Sequence, residues 1–447
     1  MISKRIFKTV LLSAMILFAV SPAYSKQYSM DEYLGLVKDN NKDLMLAASS
    51  LKNAGEQEKL ARSQALPTVG LSSSLYRNFI DVEQNAAVAS QGGDGIHPLI
   101  YKKVDVNKDY DFSFGLGLSQ QLFNMNVFNA IRASKEYKQM SKSVYDAQSD
   151  AILTAAKKVF FQCYLLEKLY NVRKETEERS YDHYMLMKQK FDAGVVSNVA
   201  LLNAEVDYKK TIPQTTNAKM NLELCLINLK HLAGIPEDEE VSVIGDFTVY
   251  PEIPETLSMQ DVLDGRSDYM ALLIEKSLRE LNVKATQAGH YPTLSLDAAY
   301  GYSNSDDKFT KAFHNDNYTQ IFKVGLKLEL PIYTGGALSA KDHQVKIESE
   351  QTEIKLQQKR EDIIVELRQI YLTLQMEFEN IATAESTIDT AKEAYDIAQV
   401  SFDNGVMTQL ELRDTRLNLE GAELNHLNAV YNYLCAYFDW QKATGNM

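Results

Sequence analysis

The chain alternates between two patterns of apolar and polar residues. In "DFSFGLGLSQQL", Phe112, Phe114, Leu116 and Leu118 alternate with Ser113, Gly115, Gly117 and Ser119. In "IFKVGLKLEL", Phe322, Val324, Leu326, Leu328 and Leu330 alternate with Lys323, Gly325, Lys327 and Glu329. A period of two means a strand with one greasy and one wet face. After each such segment comes a very long stretch without Gly or Pro, from Gly117 to Gly194 and from Gly336 to Gly405. These stretches are rich in Ala, Leu, Lys, Glu and Gln, which favour helix. Ile152, Ala156, Val159, Cys163, Leu166 and Tyr170 recur in steps of four and three, the seam of a coiled coil. A helix of about 65 residues is roughly 100 Å long and carries too many charges to lie in lipid. It must be packed and water-exposed.

The whole pattern occurs twice. "KFDAGVVSNVALLN" from Lys190 is repeated as "SFDNGVMTQLELRD" from Ser401. "LPTVGLSSSLY" from Leu66 is repeated as "YPTLSLDAAY" from Tyr291, placing Pro67 over Pro292. Gly115 falls over Gly325, "LAG" ending at Gly234 over "ATG" ending at Gly445, and "SMDEYLGL" over "SMQDVLDG". Each half reads helix, strand, loop, strand, very long helix, turn, helix. The chain is therefore a tandem duplication. The first repeat spans 26–234 and the second 258–447, with an inter-repeat segment at 235–257. The strands are expected at about 67–79, 111–122, 292–302 and 321–332. The loops at about 79–110 and 303–320 should lie on the side opposite the helices, and Gly92-Gly93-x-Gly95 reads as a flexible loop. Pro213 should kink or break the first returning helix.

The strands suit a membrane barrel, with lipid outside and a polar lumen inside. Tyr76, Tyr300 and Tyr302, near strand ends, fit an interfacial aromatic girdle. Four strands cannot close a barrel, and an open edge cannot survive in hydrocarbon. Three copies would give twelve strands, a workable transmembrane size.

Composition narrows the function. Lys4, Arg5 and Lys8 precede an apolar run from Val10 to Val20, and Ala23-Tyr24-Ser25 offers a cleavage site before Lys26. This reads as a secretory signal peptide over 1–25. No Cys stands at the cleavage site, so the mature N-terminus is expected to be unlipidated. The formal net charge is −13 and becomes more negative without the leader, which argues against nucleic acid as a partner. Cys163, Cys225 and Cys435 are odd in number and read as free, packed thiols. Neither the seven histidines nor any other residues form a metal motif, a nucleophile with its base, or a phosphate loop. No cofactor and no enzyme activity are expected.

The duplicated unit, the strand-start Pro, the Phe-Asp-x-Gly-Val turn with its following Ser or Thr, and the closing Gly resemble the TolC family of outer-membrane efflux proteins. The resemblance covers nearly the whole mature chain. It implies a mixed α/β membrane channel: a homotrimer with a twelve-stranded barrel in the outer membrane and an α-helical tunnel in the periplasm. It also implies a periplasmic adaptor (membrane fusion protein) and an inner-membrane pump of RND or ABC type as partners, for efflux or type I secretion. Two departures are visible. Lys42 and Ser267 stand where the family often has Pro early in the helical region. The chain ends at Gly445-Asn446-Met447, so the equatorial belt is expected mostly from the inter-repeat segment. A secreted coiled-coil adhesin or stalk would also be long and helical, but would not need the two alternating strand pairs.

Gly194 and Gly405 should end the outgoing helices, and Ser197 and Thr408 should cap the returning ones. With Val195 and Val406 they form the turns to which the adaptor would dock. The resemblance places the pore gate at Glu411 and Asp414, with Phe402 and Met407 closing the tip by apolar contact. Met407 stands where the family often has a basic residue. Glu411 also fits a capping box with Thr408, and the corresponding positions in the first repeat are Ala200 and Asn203, so any acidic ring is asymmetric between repeats.

Overall fold

The computed structural model describes residues 26–89, 99–255, 257–313 and 318–446. The signal-peptide segment, the Gly92–Gly95 cluster, His97 and His314 lie outside the described residues. In chain order the elements are β1 (Lys26–Tyr28), α1 (Met30–Asn40), α2 (Lys42–Ser63), β2 (Thr68–Arg77), β3 (Glu83–Ala89), β4 (Leu99–Asp105), β5 (Tyr110–Phe123), α3 (Met125–Asp192) and α4 (Asn198–Ala233). They continue as β6 (Val241–Val243), α5 (Met259–Gly265), α6 (Ser267–Gln287), β7 (Thr293–Asp306), the single turn α7 (Phe309–Ala312), β8 (Thr319–Glu329), α8 (Ala337–Asp403) and α9 (Gln409–Thr444). The two Gly- and Pro-free stretches thus become helices of 68 and 67 residues.

The chain divides into two compact units. The one built from 52–141 and 272–355 contains an antiparallel sheet in the order β2-β5-β7-β8. Its central pairing, β5 with β7, joins the two repeats. The register sorts the side chains cleanly. One face carries the rows Val69, Leu118, Ala298, Val324 and Leu71, Leu116, Tyr300, Phe322. The other carries Thr68, Ser119, Asp297, Gly325 and Gly70, Gly117, Ala299, Lys323. Two further rows on that face are Ser72, Gly115, Gly301, Ile321 and Ser74, Ser113, Ser303, Thr319. The apolar face is bare: Phe322, Val324, Leu326 and Leu328 are all at least 60% exposed. At about 3.4 Å per residue, Phe322 to Leu330 covers most of the roughly 25 Å apolar band of an outer-membrane barrel. The opposite face is small and polar. Gly115 and Gly301 meet directly across the repeat junction, where a Cβ on Gly301 would lie 2.9 Å from the Phe114 carbonyl.

Aromatic rings gather at one end of the apolar face. Phe112 packs on Phe313, and the Tyr300 and Tyr302 hydroxyls share a hydrogen bond. Tyr76 does not join them, because it pairs with Asp111 on the small, polar face. The alternation decides this, since one residue's offset along a strand exchanges faces. The expected loop at 79–110 is partly structured. β3 and β4 pair as an antiparallel ribbon, and Asn107 fixes its base by accepting from Val82 N and donating to Ile80 O. β7 runs on to Asp306, beyond the expected strand end.

The second unit, built from 26–51, 142–271 and 356–446, is helical. One core joins helices of the first repeat, with Tyr33, Val37, Phe160 and Leu229; another joins both repeats, with Leu165, Phe247, Leu374, Ile381, Val430 and Tyr433. Each repeat closes on itself with the same clasp. In the first, Gly234 takes a left-handed φ of 62° against Asn40, and buried Asn41 donates to Leu232 O at 2.9 Å. In the second, Gly445 takes φ 74° against the Gly265 backbone, and buried Arg266 donates to Ala443 O. Arg266 also pairs with both oxygens of Asp268 and with Glu366, and Lys359 reaches Asp268 at 2.8 Å. Burial alone would raise the Asp268 pKa, but the hydrogen bonds from Arg266 and Lys359 outweigh it and hold the carboxyl far below the usual range. The inter-repeat segment contributes β6, which pairs in parallel with β1, so Lys26–Tyr28 joins it in a two-stranded sheet.

One expectation is overturned here and another is narrowed. Cys163 and Cys225 form a disulfide between α3 and α4, leaving Cys435 as the free cysteine. An odd count excludes complete pairing but permits one pair, and the helical hairpin brings these Cα atoms to 5.5 Å. Pro213 does not break α4, which is helical from Asn198 to Ala233. Thr211, Thr215 and Thr216 nearby bond to backbone carbonyls within the helix, and Thr215 also reaches Arg173 O.

Gly445→Ala should destabilise the protein by about 2–4 kcal/mol, combining left-handed strain with a backbone clash. Gly405→Ala meets no described atom within 4 Å and should cost only about 1–2 kcal/mol. Thermal denaturation compares the two. Reducing Cys163–Cys225 opens a loop of 62 residues, worth roughly 4 kcal/mol on chain-entropy grounds, so the melting temperature should fall in dithiothreitol and not in a Cys163→Ser variant. If the apolar sheet face meets lipid, Leu326→Arg should impair assembly by roughly 2–4 kcal/mol, whereas Lys327→Gln on the other face should assemble normally. Oligomer yield after membrane extraction reads the difference.

Candidate functional site

The two turns between long helices are the positions singled out by the sequence, and they are built alike. At the first, Gly194 has φ 74°, Val195 N donates back to Lys190 O at 2.8 Å, and the Ser197 hydroxyl accepts from Ala200 N. At the second, Gly405 has φ 73°, Val406 N donates to Ser401 O at 2.9 Å, and Thr408 caps α9. The backward bond terminates each outgoing helix, and the hydroxyl restarts the next. Between these fixed points the chain leaves apolar side chains in solvent. Val195 and Val406 are 72% and 83% exposed, and Val199 and Leu410, their repeat-related followers, are exposed too.

Glu411 completes a capping box: its carboxylate accepts from Thr408 N at 2.8 Å and from the Thr408 hydroxyl at 2.7 Å. These bonds hold its pKa below the usual carboxylate value. Asp414 lies one turn on, exposed, with Arg413 at 3.5 Å as its neighbour. The two acids share α9 but do not touch a common partner among the described residues. Met407 is half-buried in the turn. Phe402 lines a cavity with His183 and Arg416. The structure therefore brings Phe402 together with residues that the sequence reading passed over.

Those residues tie the two hairpins of one chain together. Arg413 donates to Asp207 at 3.4 Å, Arg416 to Ser180 at 3.5 Å, and Gln409 meets His183. Further along, buried Glu420 accepts from Arg173 and from Thr176. Only one sequence signal pointed here. Arg413 and Arg416 break the repeat, because their first-repeat counterparts are Leu202 and Glu205. Among the described residues no helix is long and apolar enough to cross a membrane, and no group of three His, Cys, Asp or Glu is placed to hold a metal.

The chain can now be set beside known proteins. The model of the outer membrane efflux protein family matches residues 34–235 and 259–446, once per repeat. The outer membrane protein TolC of Escherichia coli (strain K12) is 24% identical over 362 residues, covering 78% of this chain and 67% of that protein. The alkaline protease secretion protein AprF of Pseudomonas aeruginosa is 24% identical over 349 residues, covering 76% of this chain and 69% of that protein. The aligned part thus spans about two thirds of the curated relatives' length. The crystal structure of the Campylobacter jejuni CmeC outer membrane channel superposes with a TM-score of 0.77 at 22% identity, covering 93% of this chain and 85% of that one. The fold of long helices with an antiparallel sheet is shared, and the family is one of non-enzymatic transport channels. With both repeats matched separately and in order, this chain belongs to the outer membrane efflux protein family.

Proposed function

We propose that the protein is the outer-membrane exit duct of a tripartite efflux or type I secretion system, assembled as a homotrimer. The observation that carries this reading is the four-stranded sheet with one bare apolar face, one small polar face, and two edges, β2 and β8, that no described strand pairs. Such a sheet satisfies its backbone and its side chains together only when copies close edge to edge in lipid. Three copies give a twelve-stranded barrel. The small polar face, Gly, Ser and Ala in its central rows, becomes a wide lumen. The N-terminus, with no Cys at the expected cleavage site, is unlipidated in this reading.

The helical turns face the periplasm and receive the adaptor. Gly194, Val195 and Ser197, with Gly405, Val406 and Thr408, give two near-identical docking points per chain and six per trimer. Exposed Val195 and Val406 supply the apolar contact, and the pump, of RND or ABC type, sits beyond the adaptor. Glu411 and Asp414 line the tunnel mouth in three copies each, and Phe402 and Met407 pack inside it. Thr408 and Glu411 then have two roles, since the same carboxylate that caps α9 would lend its charge to the mouth.

Planar-bilayer recording tests the duct itself: the purified oligomer should give discrete conductance steps, and silence would remove the reading. The gate is tested by replacing Glu411 and Asp414 together with Ala. Reversal potentials in a salt gradient should shift toward lower cation preference, and block by multivalent cations should weaken. Trimer yield should hold, because loss of one cap costs about 1 kcal/mol. An unchanged reversal potential would leave Glu411 a helix cap and Asp414 a surface acid.

A further inference from the structure

We propose that the cavity between the two helical hairpins of one chain is a binding site for a small oxyanion, of carboxylate or sulfate type, held by Arg413 and Arg416. The cavity encloses about 270 Å³ and is walled by α3, α4, α8 and α9, with Arg179, Ser180, His183, Asp207, Arg413 and Arg416 among its lining residues. Two guanidinium groups stand here with donors to spare. The Nε–H of Arg413 and that of Arg416 are both fully buried and have no hydrogen-bond partner among the described residues. The bonds these arginines do make are long: 3.4 Å to Asp207 and 3.5 Å to Asp414 and Ser180. Charge-assisted bonds of arginine to an oxyanion settle at about 2.7–2.9 Å. The Nη groups, held only by these long bonds, are the donors that a ligand oxygen in the cavity would engage.

The wall carries Arg179, Arg413 and Arg416 with Asp182 and Asp207, and Arg179 is already engaged by Glu175 at 3.1 Å. The two remaining guanidinium groups are particular to this place. Leu202 and Glu205 occupy the equivalents of Arg413 and Arg416, so the paired guanidinium groups belong to the second repeat alone.

His183 makes the site sensitive to pH. Burial, and then the nearby Arg416 and Lys190, push its pKa down, against the pull of Asp207. The other ionisable groups around it are Arg179 and Asp182 on its own helix, Tyr395 on α8 and Arg413 on α9. His183 therefore gives up its proton more readily than an ordinary histidine. An oxyanion in the cavity favours that proton, so anion binding should tighten as pH falls.

The oxyanion can arrive free in the periplasm or as an acidic side chain of a docked protein, and the test separates these. The full-length oligomer in detergent is titrated calorimetrically at constant ionic strength with sodium sulfate, whose charge does not change over the range used, and with a capped tripeptide bearing one glutamate. Saturable binding of sulfate alone assigns a free anion. Binding of the peptide, displaced by sulfate, assigns a presented carboxylate. In either case Arg416→Gln should weaken binding about tenfold or more, and Asp207→Asn, which removes a competing carboxylate, should strengthen it. Lowering the pH should tighten binding in the wild type and leave His183→Gln unchanged. Circular dichroism and oligomer yield confirm that the variants fold. Absence of saturable binding for both probes, or binding indifferent to both Arg416→Gln and Asp207→Asn, overturns the proposal.

Discussion

The structure depends on backbone hydrogen bonds that one chain cannot complete by itself. Within the sheet, β5 and β7 are paired on both sides, but β2 and β8 each have one unpaired edge among the described strands. In water such an edge is merely exposed. In hydrocarbon every unpaired N–H and C=O costs several kcal/mol, far more than the sheet's own side-chain contacts could offset. The proposed trimer follows from this constraint, and so does the bare apolar face. In that proposal Leu326 and Phe322, bare in the single chain, have lipid as their solvent.

The helical unit meets a different requirement. Helices of 67 and 68 residues cannot rely on propensity for their position, so the fold fixes them at intervals. Away from the turns the fixing is covalent or charged: the Cys163–Cys225 disulfide in the first repeat, Arg266 with Asp268, Glu366 and Lys359 in the second. The two repeats use different chemistry for one geometric task, since Asn41 closes the first clasp and Arg266 the second. Toward the turns the two hairpins are joined by polar contacts, Gln409 with His183, Arg413 with Asp207 and Arg416 with Ser180.

Much of this was legible in the sequence, for reasons that can be named. The strands announced themselves because one apolar and one polar sheet face impose a strict period of two, and the long helices because Gly and Pro are missing from them. The turns were visible because only Gly fits the left-handed positions at Gly194 and Gly405. What was not legible depends on distance along the chain. Cys163 and Cys225 meet because two helices are in register, and nothing local marks that. β1 is three residues long and exists only because Val241–Val243 offers it an edge. The ribbon of β3 and β4 lacks the clean alternation of a membrane strand and was read as loop. For the candidate site, the capping residues were plain, whereas the cavity around Arg416 depends on four helices separated by more than two hundred positions. The one hint, a departure from the internal repeat, is a signal that duplicated chains carry within themselves.

The junction at Gly115 and Gly301 has a consequence for the order of events in folding. β2 finds β5, and β7 finds β8, across loops of moderate length, so each pair can form early. β5 and β7, by contrast, are separated by the whole of α3, α4, α5 and α6. Closing that gap carries a loop entropy that only a preformed helical unit can reduce, and contacts of such long range form slowly. The sheet is therefore expected to be completed last, with the glycine pair acting as the point where two half-built halves zip together. A chain that joins its lipid-facing half only after its helices are set keeps its stickiest surface divided for as long as it remains in water.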